Sequence, residues 1–185
     1  ARDHLDRHGS FQAYLHAKLR IFQAQGEEDW ALVGADPRLV ALTRGLRAKR
    51  AILGRRGRAG AWVEGKRAVC DLDGRRLTVD MAKFRLRGEH NLRNALAAIA
   101  AAHCLGCSPR AMAEALREFR GLEHRLEPVA RVGGVEVIND SKATNPHATA
   151  WALRSLSCPV VLIAGGRAKP GGFGSLRPWV RRRAV

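Results

Sequence analysis

A chain of 185 residues is long enough for one domain with its own core, or for one domain and part of another. Its 46% hydrophobic content excludes an intrinsically disordered polypeptide, and no run approaches the ~20 apolar residues of a membrane span. Lys and Arg number 33 against 17 Asp and Glu, a formal charge of +16, which raises the question of a polyanionic partner.

The chain opens on a polar segment, Asp3-His4-Leu5-Asp6-Arg7, without the apolar core of a signal peptide, so a soluble cytoplasmic protein is expected. Residues 9–25 read as a helix: Ser10 can cap it, Phe11, Tyr14, Leu15, Ile21 and Phe22 recur at roughly helical spacing, and Gly26 stops it. Ala31-Leu32-Val33 reads as a buried strand, and Pro37 opens a helix through about Leu46, which makes a βα step. The texture then becomes short and alternating. Strands are expected at 61–63, 68–72, 77–80 and 84–86, with Asp73-Gly74 as a hairpin turn, and together they predict a small antiparallel sheet. Residues 91–105 are helical, and Ser108-Pro109 opens a second helix with Leu116 and Phe119 on its inner face. Gly121 ends that helix, and a domain boundary is expected at 121–124. Beyond it, strands at 126–130 and 135–138, a helix at 146–156 and an apolar strand at 159–164 predict a βαβ unit. Its ligand edge lies at the strand carboxyl ends, where residues 139–145 and 165–169 fall. There is no initiator Met, and the last residues fall within an expected helix, so both ends read as cut.

The positive charge is mostly arginine spread along the whole chain, with the one dense cluster at Arg181-Arg182-Arg183. That pattern favours solvated surface over a nucleic-acid stripe, although a basic nucleic-acid-binding module stands as the alternative of another class. Cys70, Cys104, Cys107 and Cys158 suggest no disulfide framework. The Cys104-to-Cys107 CxxC has no second ligand pair for zinc, so these are expected to be buried structural thiols.

Four polar clusters could carry chemistry. Asp3 to Arg7, with Lys18 on the following helix, could hold a divalent cation or be a helix-entry loop with ordinary surface charges. Asn91 and Asn94, three apart at a helix start, share a face and could read an adenine edge or cap the helix. Arg125 lies at the expected junction, where it could clamp phosphate or pair with a carboxylate. The most informative cluster is Asn139-Asp140-Ser141-Lys142-Ala143-Thr144-Asn145, polar residues between a strand and a helix N-terminus, which is a prepared anion site.

In order, the strings DHLDRHGSFQAYLHAKLRIF, GEHNLRNALAA, FRGLEHRLEPV, GVEVINDSKATNPHAT and VVLIAGGRAKPGGF resemble the Mur ligase family, and within it the D-glutamate-adding branch. The resemblance covers nearly the whole chain. It implies an α/β fold: residues 1–121 as the later part of a central ATP-binding domain (a parallel sheet with helices plus a small antiparallel sheet), and 122–185 as the start of a Rossmann-like C-terminal domain. It further implies an ATP-dependent ligation of D-glutamate to UDP-N-acetylmuramoyl-L-alanine through an acyl phosphate, by a cytoplasmic monomer that uses Mg²⁺. Sister Mur ligases and folylpolyglutamate synthase-like ligases remain alternatives. By the same resemblance, His4 and a carbamylated Lys18 hold metal, and Asn91, Asn94, Arg125 and Asp140 meet ATP. Lys142, Thr144 and Lys169 meet D-glutamate, and Lys18, His4 and Lys142 serve the reaction. No G-x-x-x-x-G-K-[ST] loop occurs in these residues, so the segment alone is expected to be inactive.

Overall fold

The computed structural model describes residues 5–57, 59–86, 88–166 and 172–185. In chain order it contains α1 (Leu5–His8), α2 (Phe11–Leu19), β1 (Trp30–Gly34), α3 (Pro37–Leu42) and β2 (Lys49–Leu53). There follow β3 (Ala59–Glu64), β4 (Arg67–Leu72), β5 (Arg75–Asp80), α4 (Glu89–Cys104) and α5 (Pro109–Glu118). The last elements are β6 (Glu127–Val132), β7 (Val135–Asn139), α6 (Pro146–Ser155) and α7 (Arg177–Arg183). They group into two compact units: one of Leu15–Arg85 and Asn91–Phe119, the other of the described residues up to Tyr14, Leu86–His90 and Arg120–Val185.

The first unit is built on one five-stranded sheet in the order β1-β2-β3-β4-β5. Strands β1 and β2 pair in parallel, with Ala31 opposite Arg50 and Val33 opposite Ile52, and α3 supplies the crossover a parallel pair needs. Asp36 caps α3: its Oδ1 accepts from the Arg38 amide at 2.8 Å, and Pro37 occupies the first turn. Strands β3, β4 and β5 run antiparallel. The β4–β5 turn is Asp73-Gly74, with φ of 58° and 86°, as a two-residue turn joining right-twisted strands requires. The expected antiparallel strands are present, and they extend the parallel ones within one mixed sheet. The join is β2, whose Lys-Arg-Ala-Ile-Leu sequence shows no apolar alternation. The expected strand at 84–86 is instead irregular chain after a turn at 82–83, which the Phe84 amide closes by donating to the Met81 carbonyl at 3.0 Å.

Helix α4 buries Ala95, Leu96, Ile99 and Ala100 against Ala51, Ala61, Ala68, Cys70, Leu72 and Val79 of the sheet. Alanines at the contact let helix and sheet approach closely, while each of the larger aliphatic side chains contributes on the order of 1.5–3 kcal/mol on burial. Ser108 caps α5 through the Ala111 amide at 3.2 Å. Leu116 packs toward this core, whereas Phe119 lies just past the helix end and is 45% exposed, contrary to its expected inward position. The thiols are likewise not all buried: Cys70 is, Cys104 is half-buried, and Cys107 and Cys158 are exposed.

In the second unit, β6 and β7 form an antiparallel hairpin and α6 follows. Arg154 of α6 stacks on Trp151 at 4.3 Å and on Trp179 of α7 at 5.2 Å, which ties the two helices together. The apolar run at 159–164 is not a strand here. It makes one isolated parallel bridge, Val160 to Ala184, and Val161 and Ile163 are 74% and 94% exposed. A strand exists only through a ladder partner, and among the described residues this run has none beyond that bridge. Among the described residues, no helix is long and apolar enough to cross a membrane.

Strands β2 and β3 pair in parallel at only two positions, Ile52–Gly60 and Leu53–Ala61, across a connection far shorter than a usual parallel crossover. The connection folds back so tightly that a Cβ on Gly60 would meet the Arg55 carbonyl oxygen at 2.5 Å and that of Ile52 at 2.9 Å. We predict that Gly60→Ala destabilises the chain by about 1–3 kcal/mol in urea unfolding, since backbone and not a flexible side chain would have to yield. An unchanged midpoint would show that the turn relaxes freely.

Candidate functional site

The β6–β7 hairpin places two of the sequence clusters side by side. Glu127 pairs with Asn139 at its open end, so Gly121 to Leu126 enters beside the departing Asp140 to Asn145. Hydrogen bonds then fasten the two segments. The Leu126 amide donates to Asp140 Oδ1 at 3.1 Å, and the Lys142 amide donates to the His124 carbonyl at 3.0 Å. The His124 amide donates to Glu127 Oε2 at 2.8 Å, and Asn139 Nδ2 lies 2.9 Å from His124 Nδ1. His124 and Leu126 hold φ of 64° and 47°, a left-handed backbone that costs a non-glycine residue roughly 1–3 kcal/mol and persists only where the surroundings impose it. Beyond the loop, Asn145 caps α6 by accepting from the Ala148 amide at 2.9 Å.

The carboxylate at the centre of this arrangement is half-buried. Burial raises the Asp140 pKa above the ordinary carboxylate value, opposed by the Leu126 amide and the charges of His90 and Arg125. His90 responds in the opposite sense: burial lowers its pKa, with Asp140 pulling it up and Arg125 pushing it down. The side chains of Arg125, Lys142 and Thr144, on the two fastened segments, are exposed. The result is a guanidinium and an ammonium presented to solvent from a hydrogen-bonded backbone, suited to an oxyanion.

The remaining expected residues belong to the other unit or fall outside the described residues. Asn91 is half-buried and Asn94 exposed in the first turns of α4. Lys18, in the last turn of α2, lines a hollow of about 180 Å³ with Leu15, Phe22, Leu32, Gly34 and Thr43, at the carboxyl end of β1. His4 and Lys169 lie outside the described residues. Among the described residues, no group of three or more His, Cys, Asp or Glu could hold a metal. An unmodified Lys18 ammonium repels a cation, so these residues do not by themselves make a Mg²⁺ site. His90, His124, Glu127 and Asn139 carry the site's internal contacts; of these only Asn139 was singled out in the sequence, as a member of the polar cluster, and none was given a role. Their signal was membership of the GEHN, LEHRLE and IND strings.

A raised carboxylate pKa has a defined consequence for stability. Its stabilising effect is present when the group is protonated and is lost as pH rises through the folded-state value. Asp140→Asn should therefore unfold at higher urea than the parent chain at neutral pH. The gap should close well below the ordinary carboxylate range, where both side chains are neutral. A gap independent of pH would mean the Asp140 charge is not what strains the site.

Residues 1–102 match the family model described as the Mur ligase middle domain. The chain is 45% identical over 186 aligned positions to a UDP-N-acetylmuramoylalanine–D-glutamate ligase of Pelotomaculum thermopropionicum. It is 40% identical to the ligase of the same name in Acidobacterium capsulatum. Each alignment takes in 98% of this chain and 41% of the relative, so the chain spans about two fifths of those proteins' length. Among solved structures, MurF of Acinetobacter baumannii superposes with a TM-score of 0.67 at 22% identity, over 84% of this chain and 35% of that one. MurC of Thermotoga maritima superposes with a TM-score of 0.56 at 24% identity, over 83% of this chain and 35% of that one. These structural likenesses establish the shared α/β fold. With more than half of its residues matched to the family model, the chain belongs to the Mur ligase family.

Proposed function

We propose that this chain is part of the ligase that joins D-glutamate to UDP-N-acetylmuramoyl-L-alanine. In this reading residues 1–121 are the later part of the central domain, and 122–185 open the C-terminal domain of a cytoplasmic, monomeric enzyme. The observation that carries it is the fastening of the Arg125 and Asp140–Lys142 segments by the Leu126 and Lys142 amides. Support comes also from the identity to ligases named for that reaction.

The proposed reaction has two steps. A carboxylate oxygen of the UDP-linked acceptor attacks the γ-phosphorus of ATP, and ADP leaves. The D-glutamate nitrogen then attacks the acyl phosphate carbonyl and loses a proton, and inorganic phosphate departs. Positioning and charge neutralisation supply most of the catalysis. Arg125 is proposed to bind nucleotide phosphate, and Asp140 to orient it. Lys142, Thr144 and Lys169 are proposed to receive the D-glutamate carboxylates, and Asn91 and Asn94 to receive adenine. Mg²⁺ would offset phosphate charge, with His4 and a carbamylated Lys18 as its proposed holders.

The test is phosphate release by a full-length ligase carrying this segment, with D-glutamate compared against other amino acids. D-Glutamate-dependent release is expected, with kcat/KM for D-glutamate falling roughly a hundredfold or more in Lys142→Ala. Preference for another amino acid would overturn the substrate assignment. The 185-residue chain alone is expected not to turn over ATP; turnover at an ordinary ligase rate would show that it needs no further phosphate-binding loop.

A further inference from the structure

The hydrogen bonds of the Asn139 side chain fix which end of its amide is which. Oδ1 accepts from the Ser141 amide at 3.1 Å, and a backbone N–H can only donate, so that atom is the oxygen. The other end is therefore the NH2. It donates to Glu127 Oε2 at 3.4 Å and lies 2.9 Å from His124 Nδ1. An amide NH2 has no lone pair to offer a ring N–H, so Asn139 donates and Nδ1 accepts. A neutral imidazole whose Nδ1 accepts carries its hydrogen on Nε2. The Glu127 carboxylate also faces Nδ1, but from 3.8 Å, and its Oε2 already accepts from the His124 amide at 2.8 Å. The ring's hydrogen bonds and ion pairs among the described residues are all at Nδ1, yet the side chain is 57% exposed.

We propose that Asn139 is a positioning residue of the nucleotide site: its amide fixes the neutral His124 ring as the tautomer with hydrogen on Nε2, and His124, next in the chain to Arg125, thereby gives the bound nucleotide a second donor. The nucleotide rests on the ligase reading above; the tautomer does not. The choice of tautomer decides between attraction and repulsion. With hydrogen on Nε2, the open side of the ring donates to a nucleotide oxygen. With hydrogen on Nδ1, the same side turns a lone pair toward that oxygen and repels it. A neutral donor beside the permanently charged guanidinium adds direction without adding a further charge.

Two measurements test this. The first, ¹⁵N NMR of the histidine rings in this chain, needs no turnover. It is made about two units above the ordinary histidine pKa, where imidazoles are ordinarily neutral. His124 should show one tautomer, protonated at Nε2. Asn139→Asp keeps an acceptor for the Ser141 amide but turns another toward Nδ1, and should shift His124 to protonation at Nδ1. Asn139→Ala, which removes the donor, should release a mixture, while His16 and His103 of the other unit stay unchanged. A mixture in the parent chain, or Nε2 alone protonated in every folded variant, overturns the proposal. Second, in a full-length ligase, Asn139→Ala should raise KM for ATP roughly fivefold with kcat little changed, as lost binding does. The same substitution in a His124→Ala background should add no further loss. An undiminished loss there would mean that Asn139 does not act through His124, and overturns the positioning role. A wild-type enzyme that consumes no ATP would instead overturn the ligase reading, leaving NMR to decide the tautomer.

Discussion

The Leu126 amide that donates to Asp140 Oδ1 closes the open end of the β6–β7 hairpin, and the arrangement of the site follows from that closure. Chain ends leaving a hairpin normally splay. Here the Asp140 side chain reaches back to one strand's entry, and the Lys142 amide binds the His124 carbonyl beside it. The two bonds lock His124 and Leu126 in left-handed conformations that neither residue adopts readily. Arg125 lies between them, so its backbone is held from both sides while its side chain stays exposed. The strain at His124 and Leu126 and the half-burial of a carboxylate are both offset by the order that these bonds impose on the loop.

The other unit serves a different end. Its sheet is made of small residues where α4 lies against it, and the helix is anchored by Leu96 and Ile99. That packing fixes the first turns of α4, and hence Asn91 and Asn94, on a rigid element. Lys18 sits similarly on α2, over a hollow at the carboxyl end of β1. Carboxyl ends of parallel strands are where α/β proteins place ligands.

The helices were legible because their ends are chemically marked. Ser10, Ser108 and Asn145 accept from amides three residues on, and Pro109 and Pro146 follow two of them directly. The strand β2 was not legible, because Lys49–Leu53 is held by neighbours on both sides and not by its own alternation. The run at 159–164 failed in the other direction. Its composition is that of a buried strand, but pairing is a relation to other segments that composition cannot supply. At the site, polar residues crowded between a strand and a helix flagged Asp140, Lys142 and Thr144. A single histidine in a polar string carries no mark of which ring nitrogen is engaged, so the contact between His124 and Asn139 emerged only from the structure.

By itself, then, the sequence determined where helices begin, where the Asp73-Gly74 turn falls, and which polar strings belong to a Mur ligase. These are properties of residues a few positions apart, set by capping, backbone conformation and local order. The tertiary structure alone decided that the antiparallel strands extend the parallel sheet, that Gly60 and Gly88 tolerate no side chain, and that Asp140 is raised while His90 is lowered. Each of those depends on which distant atoms exclude water from a group or occupy the space beside it, and distance along the chain does not encode that.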